Sequence, residues 1–78
     1  MSERLLTVAE WVALRPDLYP AEHAFDWRWR VHKRIYIEAG AVLLIGGRRM
    51  IDPSACERVE LEIGRAEAMA LLDRAADT

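Results

Sequence analysis

Residues 37–51, IEAGAVLLIGGRRMI, followed at once by Asp52-Pro53, decide how the rest of the chain is read. Two short runs, Ala41 to Ile45 and Arg48 to Ile51, flank Gly46-Gly47, and a Gly-Gly pair supplies the positive φ angles of a two-residue β-hairpin. A hairpin over about 41–51 follows. Asp52 has the side chain of a helix N-cap and Pro53 suits the first helical position, so a helix begins directly after the hairpin. A turn that only reversed the chain would need Gly46 and Gly47 and not Arg48 and Arg49. The two arginines need an explanation of their own.

Beyond the hairpin, Cys56, Val59, Ile63, Ala66 and Ala70 recur at spacings of three and four, which predicts a helix over about 53–73 that Gly64 bends or splits. At the other end, Thr7-Val8-Ala9-Glu10 has the pattern of a capping box, in which Thr7 and Glu10 each bond the other's amide. A first helix over about 8–15 follows, with Val8, Trp11 and Val12 on its apolar face and Pro16 ending it. The stretch PDLYPAE, residues 16–22, reads as an ordered turn with Leu18 and Tyr19 tucked inward. The segment AFDWRWRVHKRIYIEAG, residues 24–40, is ambiguous. Trp27, Trp29, Val31, Ile35 and Ile37 alternate like a strand, yet Trp27, Val31 and Ile35 also share one helical face.

Seventy-eight residues allow one domain, 1–78, with a modest core that invites help from a partner. The chain is 53% apolar and 31% charged, an ordinary globular balance, and no run approaches the length of apolar sequence that spans a bilayer. The start, MSERLLTVAEW, lacks the apolar run and cleavage site of a signal peptide, and Cys56 is the single cysteine. A cytoplasmic protein with no membrane partner is expected. The net charge of −2 conceals a strong division. From Trp27 to Ile51 six basic residues face Glu38 alone, a local +5, while the remainder holds five basic and twelve acidic residues, a local −7. A phosphate backbone responds to local field of this kind within a Debye length of about 10 Å. A solvated charged face is the plainer explanation from composition.

Helix, helix, hairpin and helix in that order, with positive charge in the second element and at the hairpin tip, is the plan of a winged helix-turn-helix. The run EAGAVLLIGGRRMIDP, residues 38–53, resembles the characteristic stretch of small excisionase-like proteins encoded by phages and integrative elements. TVAEW at residues 7–11 and FDWRWRV at residues 25–31 are similar to that family's first and second helices. The resemblance covers about residues 7–60. It implies an α+β, mainly helical fold: a winged helix-turn-helix of the MerR/excisionase-like kind, with a two-stranded wing and a C-terminal helix. It also resolves the ambiguous segment as a helix over about 24–34, with 35–40 an irregular link into the wing.

In such a fold the second helix enters the major groove and the wing tip places cations on flanking phosphates or in the minor groove. The expected DNA-binding residues are Arg28, Arg30, Lys33 and Arg34 on the helix and Arg48 and Arg49 on the wing, with Gly46 and Gly47 letting its backbone come close. The resemblance implies a recombination directionality factor. Such a protein binds double-stranded DNA near an attachment site, often with several copies side by side, so that an integrase or other recombinase works in the excision direction. Promoter regulation is compatible with this. Two other readings stay open. One is a protein-interaction module acting through its C-terminal helix, and the other is a plain transcriptional repressor.

Other residues have simpler readings. Trp11 and Trp27 are expected in the core rather than on a stacking platform for single strands, while the face of Trp29 is undecided. His23 and His32, with no cysteine pair near them, do not suggest a metal site, and Cys56 reads as a small core residue. No nucleophile, base and orienter converge and no phosphate-binding loop is present, so neither enzyme nor cofactor is expected. Leu61, Met69, Leu71 and Leu72 lie outside the main stripe of the last helix. That surplus suggests a contact between copies, or a helix that folds back on its own core.

Overall fold

A computed structural model describes residues 4–76. The capping box forms as its residue types dictate: the Thr7 amide donates to Glu10 Oε1 at 2.9 Å and the Glu10 amide to Thr7 Oγ1 at 3.1 Å. Helix α1, Val8–Leu14, starts there and buries Val8, Trp11 and Val12. Just before it, Leu6–Thr7 forms a short strand, β1, that the sequence reading did not contain. Two residues are too few to show a period of two, and only a tertiary partner makes them a strand.

Helix α2, Glu22–Glu38, settles the ambiguous segment as helical. It is longer than the expected 24–34, and residues 35–38 are helix rather than an irregular link. The bend that an irregular link would supply appears instead at His32, whose φ of −116° and ψ of 26° kink the helix. Gly40, at φ +73°, closes the C-terminus in the left-handed conformation open to glycine, and the Ala41 amide donates back to the Tyr36 carbonyl at 2.9 Å. The inward stripe also differs from expectation. Phe25 and Tyr36 are fully buried with Trp29 packed partly beside them, whereas Trp27 is 57% exposed. Trp27, expected in the core, sits outside because three-turn spacing from Phe25 to Tyr36 sets the buried face.

Strands β2, Val42–Ile45, and β3, Arg48–Ile51, pair antiparallel from Val42 opposite Ile51 to Ile45 opposite Arg48. Gly46 and Gly47, at φ +61° and +79°, make the two-residue turn. β1 adds to the far edge of β3, giving a three-stranded antiparallel sheet of order β1-β3-β2. Helix α3, Pro53–Ala76, follows at once and runs unbroken through Gly64. The fold is therefore α+β and mostly helical, with three helices and one small sheet among the described residues.

A run of rings, Trp11, Tyr19, Phe25 and Tyr36, forms the centre of the core, the first two pairs edge-to-face and the last tilted, with successive centroids 5.5–6.3 Å apart. Tyr19 reaches it from the turn after α1, and Ile51, Cys56, Val59 and Ile63 seal it from the sheet and α3. Burial along α3 stops at Ile63: Ala66 and Ala70, though on the same stripe, are exposed. Half of the longest helix therefore lies outside the core. Among the described residues no helix is long and apolar enough to cross a membrane.

Candidate nucleic-acid interface

The six cations singled out in the sequence separate into three kinds of environment. Arg28 is turned inward. Its guanidinium donates to Glu60 Oε1, from Nε at 2.8 Å and again from Nη2, while Tyr36 donates its hydroxyl to Glu60 Oε2 at 2.6 Å and Tyr19 donates to the same oxygen. Trp11 Nε1 donates to the Tyr19 hydroxyl at 3.0 Å and closes the network. Glu60 is buried between α3, α2 and the Tyr19 turn, so a buried charge has acquired a counter-charge and four direct donors. Arg28 is thus a structural residue and not part of an exposed binding face.

The electrostatics of this knot follow from its burial. Burial, and then the hydrogen bond to Glu60, pushes both Tyr19 and Tyr36 well above the ordinary phenol range. Burial opposes the charge on Arg28, but the hydrogen bonds and attraction from Glu60 outweigh it, and the net shift is upward. Cys56, beside them, has its thiol pushed up to about 12, first by burial and then by the Glu60 charge. A thiol of this kind is an inert core group. Glu60 is the side chain of this network least visible in the sequence. Its signal was a carboxylate at one turn from Cys56, next to Val59 on the apolar stripe, which is a position that demands an internal partner.

Arg49, Lys33 and Arg34 form the second kind. Arg49 Nη2 lies 2.8 Å from Asp26 Oδ1, and its guanidinium sits 5.8 Å from the Trp29 ring centroid. The Lys33 ammonium lies 5.6 Å from the same ring. The indole thus gathers one cation from the hairpin and one from α2 by cation–π attraction. Arg34 Nε donates to Glu38 Oε2 at 3.0 Å, an ordinary i, i+4 pair on an exposed surface.

Arg30 and Arg48 form the third kind: both are exposed, and neither joins an ion pair among the described residues. Asp26, Arg30 and Lys33 follow one another on one helical face at spacings of four and three. The hairpin docks on that face through Arg49 at Asp26, so the helix and hairpin bring Arg30, Lys33 and Arg49 into one region, with Arg48 at the turn. Asp26 and Trp29 organise this surface, and neither was among the expected site residues. The pairing of Asp26 with a residue 23 positions away carried no local signal.

A separate hollow opens between the second half of α2 and α3, lined by Val31, Ile35, Ile63, Ala66 and Ala70 with His32, Glu62 and Glu67 among its polar residues. It is predominantly apolar and lies apart from the hairpin. No protein-family model, no curated protein and no solved structure matches this chain.

Proposed function

We propose that this chain is a non-enzymatic double-stranded DNA-binding protein of winged helix-turn-helix type, in which α2 is the recognition helix and the β2–β3 hairpin the wing. The observation that carries the reading is the convergence of Lys33 and Arg49 on Trp29, which joins the cations of helix and hairpin into one surface. A wing held against the helix presents cations to the phosphates on either side of a groove, and phosphate contacts supply most of the affinity in such complexes. Arg30, Lys33, Arg34, Arg48 and Arg49 are the contact residues in this reading, and Arg28 is withdrawn from it. Following the resemblance to excisionase-like proteins, the role is that of a recombination directionality factor. It binds near an attachment site, with an integrase as functional partner, and it is compatible with promoter control.

The test is a fluorescence-polarisation titration against the chain's own flanking genomic DNA at two salt concentrations, with Arg30→Ala/Arg48→Ala alongside. Tight binding that weakens steeply with salt and weakens further in the double variant is the expected result. Absence of binding by the unsubstituted protein at low salt overturns it. A second reading has its own observation: the apolar hollow between α2 and α3 suits a protein partner, and binding of a protein through it would be nearly independent of salt.

A further inference from the structure

We propose that the outward face of α3 binds the same face of a second copy of this chain, the two helices antiparallel and centred between Ala66 and Glu67. The inference goes beyond DNA binding and needs no DNA. At 100° per residue, Leu61, Arg65, Ala68 and Leu72 fall on one side of α3, opposite Cys56, Val59 and Ile63, with Met69 and Leu71 flanking them. Leu61 is 67% exposed, Leu72 62% and Met69 54%. Soluble chains seldom leave such large apolar side chains contiguous without a partner. The second half of the helix has no cover of its own, and a helical segment of that length is marginal in water unless it packs.

The occupant is identified by the register. In an antiparallel pair with that centre, Leu61 lies opposite Leu72 of the second copy, and by the two-fold the reverse contact repeats. Gly64 falls beside Ala68 and Leu71 of the second copy, and a Cβ built at Gly64 meets nothing within 4 Å in the single chain. The glycine therefore leaves an open notch where another helix can come close. Arg58 comes beside Asp73 of the second copy on one flank, and the stem of Arg65 runs across Met69 of the second copy. Neither Arg58, Arg65 nor Asp73 joins an ion pair within the described residues. A parallel pair would set Arg58 against Arg58 and Asp73 against Asp73, whereas the antiparallel pair sets opposite charges together. The face complements itself, which is the condition for a closed two-fold interface.

Sedimentation equilibrium of the full chain without DNA, from micromolar to hundreds of micromolar, reads the proposal directly. A concentration-dependent dimer is expected, weakened about a hundredfold or more by Leu61→Glu/Leu72→Glu. Gly64→Leu should weaken it about tenfold while the thermal midpoint holds or rises, since leucine is the better helix former and fills empty space in the single chain. Arg58→Glu and Asp73→Arg should each loosen the dimer and together restore it. A chain that stays monomeric at every concentration overturns the proposal. So does a dimer that tolerates both Gly64→Leu and the leucine substitutions but dissociates on Val31→Glu, which would place the contact in the α2–α3 hollow.

Discussion

Arg28 and Arg30 lie two residues apart on the same helix, in a run that reads as a single basic stripe, and they occupy opposite worlds. Arg28 faces a buried carboxylate and two phenols, while Arg30 faces water with no ion-pair partner among the described residues. Two residues on a helix differ by about 200° around its axis, so the fold alone determines which of them meets Glu60. The charge of a segment therefore overstates the charge of its surface. What reaches a ligand is the part left after the core has taken its share.

The comparison breaks most visibly at Glu60. Glu60→Ala leaves Arg28 and two tyrosines without their acceptor, and breaking a buried pair in this way costs about 3–5 kcal/mol. Arg30→Ala should change stability by no more than about 0.5 kcal/mol. Urea denaturation of both variants checks the contrast. If Arg28→Ala weakened DNA binding with an unchanged urea midpoint, the division between inner and outer arginines would fail.

The same knot predicts an alkaline limit. Tyr19 and Tyr36 are the only two tyrosines, and both have folded values raised above the ordinary phenol value near 10. The fold thus favours the protonated phenols. Their contribution to stability is present in full below pH of about 10 and is lost as pH rises through the folded values. Absorbance at 295 nm should show no tyrosinate at the usual pH, and its late appearance should coincide with loss of helical circular dichroism. Normal titration of either tyrosine in the folded chain contradicts the buried network.

On the outer side the effects fall on binding instead. Arg48→Ala and Arg30→Ala should each lower the slope of log affinity against log salt by about one, with no shift in thermal midpoint. A slope that does not move in either variant would leave both cations as solvated surface. Arg28→Lys, which keeps the charge but loses the planar fork, should act in the opposite sense, on stability and not on the salt slope.

The architecture was legible wherever local chemistry specified it. The capping box at Thr7 and Glu10, the glycine turn and the Asp52-Pro53 start are each fixed by neighbours in sequence, and the structure carries all three. The second helix was harder because Trp27, Val31 and Ile35 satisfy a helical spacing as well as Phe25 and Tyr36 do. Only packing against the rings of Trp11 and Tyr19 decides which face turns inward. β1 was invisible for a related reason, since Leu6 becomes a strand residue only opposite Ile51. At the candidate site the residue types were readable and their assignments were not. Glu60, Asp26 and Trp29 act through partners 20 to 41 positions away, and a single sequence contains no spacing that reports such pairs.

Asp26 offers the finest test of the inner and outer division, because its pair with Arg49 stands between the two. Both side chains are partly exposed, at 43% and 31%, so the ion pair is screened and Asp26→Asn should cost at most about 1 kcal/mol of stability. Removing the carboxylate has two opposed consequences for a bound phosphate: it frees Arg49 and deletes a negative charge from the basic surface, but it loosens the hold of the hairpin on α2. The first dominates if Trp29 alone can keep Arg49 in place, since the cation–π contact survives the substitution. Asp26→Asn should then bind DNA severalfold more tightly at low salt, with the gain shrinking as salt rises. Asp26→Asn/Trp29→Ala, which removes both restraints, should lose that gain. If Asp26→Asn alone weakens binding, the ion pair holds the hairpin in its binding position, and Asp26 belongs with the structural carboxylate Glu60 despite its exposure.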